Sequence, residues 1–453
     1  MKRRDFVRVA ATAGLVTGLT SRFARGAEPC PPPTVSIAGG ASVATTCDPP
    51  PAPGTAPSWF TSMGSGTWTT VAGGSGQRVS DSLPGAIALS GLSGESASSI
   101  CAAWTGGAVD PTRREYLLCA NGGHADYSGN ETYALALGDA TPAWRRICDP
   151  SPKTAMPLPL SDEGGGIYLD GRPRAMHSTF EVFGDGRVWF PLLNSVASPG
   201  GGTVNKVASF NRSSLGNATA TLAYGSGMGP WTLHGSISGL NATTARFGRG
   251  LFDPVNHYVY GLGGFGANTT CYWRLPTTGS SIGVATYKEA NMSIGNFNTW
   301  AVCAYDLGII VAGDSLRRQI CVLTLANFGA SNAWSTPSNT TGTGYFNSDE
   351  FGGAGGVYIK ANHSIAIADP RSTGKTIYKL QIPTSGGAYN PSGQWIWSAL
   401  NPGGATPTTA SGNSSANSKW NIVEDMGNSQ SAIVFLGDIS GPTYVYKVPT
   451  SGL

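Results

Sequence analysis

Short apolar runs punctuated by glycine, asparagine, aspartate and proline organise this chain, and beyond residue 60 no helical 3.6-residue stripe runs longer than about two turns. In NGGHADYSGNETYALAL, from Asn121 to Leu137, Thr132, Ala134 and Ala136 alternate with Tyr133, Leu135 and Leu137. Alternation with period two predicts a β-strand with one buried face. A glycine pair precedes it, and His124, Asp126, Tyr127 and Asn130 fill the gap between the two strands.

The runs recur as a unit. AVDPTRREYLLCANGG, ETYALAL and AWRRI give three strands with a reverse turn at Asp110-Pro111; GLFDPVNHYVYGLGG, from Gly250, repeats the same grammar with its own Asp-Pro turn. FEVFGDGRVWFPLL turns at Asp185-Gly186, a hairpin signal because both central positions of a type I′ turn need positive φ. Units begin near Ser98, Arg174, Thr244, Asn298, Glu350 and Lys419. The last ends at Leu453 without the tryptophan that marks the outer strands at Trp144, Trp231, Trp334 and Trp397. GTWTTVAGG, with Trp68, supplies that strand from the other end of the chain, closing a ring and hiding two sheet edges. The expected fold is all-β, a single propeller over residues 61–453 with six blades. The stretches 276–296 and 402–418 leave room for a seventh.

An apolar strand ending in Gly-Gly, an aromatic on the next strand and a tryptophan on the outer one resembles the kelch repeat, the propeller family that includes the central domain of galactose oxidase. Gly122-Gly123, Tyr133 and Trp144 of the first unit fit it closely; the third keeps Gly263-Gly264 and Tyr272, and the fourth has Ala312-Gly313. The resemblance implies a kelch-like propeller, and function has to be argued from the site.

Composition moves the picture outside the cytoplasm. The chain opens MKRRDFVRVAATAGLVTGLTSRFARGAEPC, which resembles a bacterial twin-arginine export signal, with cleavage expected near Ala27. The apolar run from Val9 to Leu19 is shorter than the roughly 20 residues a membrane span needs. Residues 28–60, rich in Pro, Ala and Gly, read as a leader or linker. Removing the signal takes 29 basic and 26 acidic residues to 23 and 25, a net charge of −2, and with it the main support for a nucleic-acid partner. No later segment is long and apolar enough to enter a membrane, so the product is expected to be a monomer, periplasmic or secreted. All eight cysteines follow the cleavage point, and their even number in an oxidising compartment predicts disulfides, with Cys30–Cys47 and Cys303–Cys321 as candidate pairs.

In a propeller the innermost strands line a central channel, and the loops entering them crowd one mouth together with the loops between second and third strands. That plan places His124, Asp126, Tyr127 and Asn130 at the mouth in blade one, and Arg174 and His177 in blade two. Arg246 and Arg249 enter blade three, Asn298 and Trp300 blade four, Asp349 and Glu350 blade five, Trp420 and Glu424 blade six. Trp300 and Trp420 are read as inward, able to stack on a sugar ring, whereas His234, His257 and His363 are read as peripheral.

These residue types point first to a glycan ligand, with Arg, Asn and Asp taking hydroxyls and any carboxylate. A polysaccharide lyase is the alternative: Arg174 or Arg249 would neutralise a uronate while His124, His177 or Tyr127 moves the proton. A glycosidase would need two facing carboxylates, for which Asp349, Glu350 and Glu424 are available. A copper radical oxidase would use His124 and His177 but lacks a recognisable Tyr–Cys pair, and a purely structural propeller would pair its inward arginines. No cofactor or metal motif is present: the chain carries no phosphate-binding glycine loop, no His-Glu-x-x-His and no Gly-x-Ser-x-Gly.

Overall fold

The computed structural model describes residues 55–83, 97–101, 106–119, 129–151, 166–167, 171–174, 181–197, 203–212, 229–240, 249–264, 270–290, 299–314, 319–330, 333–342, 355–368, 374–408 and 419–453. They form a six-blade β-propeller. The innermost strands are Ala108–Asp110, Val182–Gly184, Arg249–Asp253, Thr299–Ala304, Gly355–Ile359 and Trp420–Val423. Each lies against the next and the last returns to the first, so they make a closed ring.

Ring closure follows the expected permutation. Thr67–Val71 pairs antiparallel with Thr443–Lys447, placing Trp68 opposite Tyr446 in the sixth blade. The seventh blade does not exist: Thr286–Ala290 is the outer strand of blade three, and Gly403–Gly404 extends the edge of blade six. Gly404 has φ +88°, and a Cβ there would lie 2.0 Å from the Trp68 carbonyl oxygen, so the close approach requires glycine. Asp185 (φ 48°) and Gly186 (φ 79°) make the positive-φ turn that the Asp-Gly pair announces.

The strands are more apolar than strict alternation predicts, and the packing explains it. Each pair of neighbouring blades shares its own core. Leu117 and Ala134 face blade two, while Tyr116, Leu118, Tyr133 and Leu135 face blade six. In blade four Ile309 and Val311 turn toward blade five, and Ile310 and Ala312 toward blade three. A blade in a ring has two covered faces, so all five residues of Thr132–Ala136 are buried.

The cysteine expectation is corrected here. Cys101, Cys119, Cys148, Cys271, Cys303 and Cys321 are all buried in these shared cores and form no disulfide among the described residues; Cys30 and Cys47 lie outside the described residues. Cys303 and Cys321 sit on first and third strands with Ile309–Asp314 between them. Two strand spacings are about 9.6 Å, beyond the ~7 Å Cα separation a disulfide can span.

Candidate functional site

The inner strands run from an upper end, reached by the connections between blades, to a lower end of reverse turns. The upper connections include residues 149–181, 241–248, 291–298, 343–354 and 401–419; the first two inner-strand turns at the lower end need only 111–114 and 185–186. Long connections on a rigid ring are where binding residues gather.

His124, Asp126, Tyr127, His177, Arg246, Asn298, Asp349 and Glu350 lie outside the described residues. What is described at the upper end is the set of roots from which those connections spring. Asn130 is fully buried: its Nδ2 donates to Ser151 Oγ (2.9 Å) and to the Pro173 carbonyl (3.2 Å), and its Oδ1 accepts from Ser151 N (2.7 Å). That geometry makes Asn130 a cross-link between a blade-one loop and the strand pair leading into blade two, instead of a ligand contact. The backbone of Arg174 pairs with Gly166 in that strand pair, which extends the long second strand of blade two through Ala197.

Around this cross-link the buried groups are polar. Glu181 Oε1 accepts from Cys119 N at 2.9 Å, and Tyr133 donates its hydroxyl to Glu131 at 2.7 Å. Arg172, absent from the sequence-derived set, donates through Nη1 to the Asp149 carbonyl at 2.8 Å. Its RPR context looks no different from Arg174, so the sequence carries no signal that would single it out. Arg249 opens the inner strand of blade three, only 4% exposed, and burial pulls its pKa down to about 9, which leaves it cationic at neutral pH. Asp253, at the other end of that strand, caps its own turn by accepting from Val255 N and Asn256 N.

Lys419, entering blade six, is fully buried, donates Nζ to the Cys101 carbonyl and is drawn down to about 8 by burial, against the opposing pull of Cys101. Tyr116 donates to the Lys419 carbonyl at 2.9 Å, and Asn421 Nδ2 reaches the Gly107 carbonyl at 3.1 Å, so blades six and one are stitched together beneath the mouth.

The two tryptophans expected to face the channel do not. Trp300 is 1% exposed, in the core shared by blades four and five, with its indole over Gly313 on the neighbouring strand. A Cβ at Gly313 would come within 2.2 Å of that ring. Trp420 is 4% exposed between blades five and six, 5.5 Å from Trp68 by ring centroids. Both have become blade packing because an inner-strand side chain directed sideways meets the next blade before it meets the channel. His234 stacks on Trp189 at 5.1 Å and contacts Ser209 Oγ at 2.9 Å, and burial with the nearby Arg187 lowers its pKa to about 4.

Among the described residues no three His, Cys, Asp or Glu side chains converge as a metal site, and no helix is long and apolar enough to cross a membrane.

No family profile matches the chain, and no curated protein matches it. Among solved structures it is similar to a protein of unknown function from Bacteroides thetaiotaomicron, at 10% identity over 84% of this chain and 75% of that one, with a TM-score of 0.41. It is also similar to an exo-β-1,3-galactanase from Phanerochaete chrysosporium (13% identity, 74% and 64% covered, TM-score 0.32). An α-L-arabinofuranosidase from Lactobacillus brevis matches at 11% identity, with 68% of this chain and 96% of that one covered and a TM-score of 0.34.

Proposed function

We propose that this protein is an exported, kelch-like propeller that binds a carbohydrate in its upper mouth, with an arginine-bearing rim suited to a glycan carboxylate. The observation that carries the reading is the way the loop roots are built. Asn130, Ser151 and Pro173 are locked together in the dry interior, with Glu181 and Arg172 holding backbone groups beside them. Polar side chains that hold buried backbone groups under long loops fix a site's geometry before ligand arrives, and that lowers the entropy cost of binding. Arg249 adds a buried cation at the same end.

In this reading the twin-arginine signal directs export, and the ligand is an extracytoplasmic polysaccharide. The test is to incubate the purified protein with uronate-containing and neutral polysaccharides while following retention on each polymer, reducing ends and the absorbance of unsaturated ends. Retention on an acidic glycan that falls at least tenfold in Arg249→Lys, the loss of one charge-assisted hydrogen bond, supports the binding role. Unsaturated products abolished by His124→Ala or His177→Ala convert the assignment to a lyase. No retention on any polymer sinks the carbohydrate reading.

A further inference from the structure

The lower end of the channel holds a second convergence of polar side chains, contributed by three blades. Tyr305 and Asp306 follow the inner strand of blade four, Tyr358 ends that of blade five with Lys360 and His363 in its turn, and Glu424 follows that of blade six. Tyr305 reaches across to Glu424, its hydroxyl 3.0 and 3.1 Å from the two carboxylate oxygens. Tyr358 lies 2.7 Å from Asp306 Oδ1 and 2.8 Å from His363 Nδ1. The turns of blades one and three instead spend their aspartates on themselves, since Asp110 and Asp253 accept from backbone groups two and three residues on.

Proton counting fixes how this cluster presents itself. A carboxylate only accepts, so the single phenolic proton of Tyr358 goes to Asp306, and its oxygen must then accept from His363 Nδ1. Neutral His363 is therefore the Nδ1–H tautomer, and its Nε2 lone pair is the ring's remaining acceptor. His363 is held at φ 53°, in the turn that ends beside this network. Lys360 Nζ contacts the Tyr305 ring, 5.2 Å from its centroid, and makes no ion pair among the described residues. An acceptor on half-exposed His363, a three-proton donor on exposed Lys360 and the exposed carboxylate of Glu424 thus lie at one end of the ring, with two carboxylates against one ammonium.

We propose that this lower end is a second binding site, for an uncharged, polyhydroxylated ligand such as a neutral saccharide, held by Lys360, His363 Nε2 and Glu424. Hydroxyl groups satisfy a donor and two acceptors together, and the net negative balance turns away the anionic sugars suited to the arginine-bearing upper mouth. The site is independent of the upper one, and the test separates them.

Histidine-¹⁵N-labelled full-length protein is titrated with cellobiose, maltose, lactose and galacturonate, with the His363 signals assigned by their loss in His363→Gln. The expected result is an Nδ1–H tautomer for His363, shifts of its ring signals with at least one neutral disaccharide, and none with galacturonate. Lys360→Met and Glu424→Gln are each expected to weaken that binding at least about tenfold, as the loss of one hydrogen bond to a charged group does. Arg249→Lys bears on the upper mouth alone, so failure there and failure here read out separately. An Nε2–H tautomer, silence with all three neutral disaccharides, or unchanged affinity in both variants overturns the proposal.

Discussion

The upper and lower ends of the ring solve the same problem, burying or turning polar backbone between blades, in different ways. Above, side chains clamp loop roots onto backbone: Asn130 to Ser151 and Pro173, Asn421 to Gly107, with Arg172 and Lys419 on the Asp149 and Cys101 carbonyls. Below, charge does the joining. Glu115 receives Arg212 through two bonds of 2.7 and 2.8 Å and Arg145 at 2.9 Å, tying blade one to blade two with an arginine that has no exposed surface. The N-terminal approach to the closing strand is bolted at the same end. Lys447 Nζ donates to the Phe60 and Met63 carbonyls at 2.9 and 3.1 Å, and Arg114 Nη1 to the Thr55 carbonyl at 3.0 Å. The lower end thus joins blades one and two through an ion pair, while the upper end, its charged groups included, holds backbone groups at the roots of the long connections.

The sharpest way to break this comparison is Glu115→Gln. Removing the carboxylate strips Arg212 of both its bonds to Glu115, so a loss of about 3–5 kcal/mol is expected in denaturant unfolding. A loss under about 1 kcal/mol would mean the lower end does not carry the ring.

The two ends should also differ in the sign of their pH dependence. At the lower end burial raises Asp110 to about 6 from 3.8, so the folded chain binds the extra proton and Asp110's contribution is lost as pH rises from about 4 to 6. At the upper end Lys419 is lowered to about 8 from 10.5, so the unfolded chain binds the extra proton and stability rises between about pH 8 and 10.5. Melting temperatures of Asp110→Asn and Lys419→Met against the parent should flatten the acid slope and the alkaline slope respectively. At ~1.4 kcal/mol per pKa unit, the acid and alkaline slopes should not exceed about 3 and about 3.5 kcal/mol respectively.

Smaller effects separate a loop root from its surroundings. Asn130→Ala should cost about 1–3 kcal/mol by leaving Ser151 N buried without its acceptor, and should raise hydrogen exchange at residues 171–174. Asp149→Asn, which breaks the partly exposed Arg146–Asp149 pair at 2.8 Å, should cost under about 1 kcal/mol. Equal losses in the two variants would remove the case that Asn130 is a structural root.

Much of the ring was legible in the chain. The turns at Asp110-Pro111, Asp185-Gly186 and Asp253-Pro254 fall where the punctuation put them, because proline fixes φ and glycine permits its positive values. Trp68 marks the closing strand because a strand lacking a neighbour at one end of a chain must find it at the other. The site was legible only in part. His257 and His363 do lie in turns, yet the Tyr358–His363–Asp306 relay was invisible, since Asp306 is 52 residues from Tyr358 and no local pattern links them.

Local backbone preference and repetition along the chain settled the strand-and-turn grammar and the permuted closure, whereas the choice of six blades over seven came from the folded sheets. Only the tertiary structure decided which way each side chain faced. A strand's period of two says that neighbours point to opposite faces, but in a ring both faces belong to a core. Trp300 and Trp420 therefore went to packing, and the cysteines went to separate strands where a disulfide cannot reach. Contacts between blades set these outcomes, and such contacts join residues far apart in the chain, where no periodicity records them.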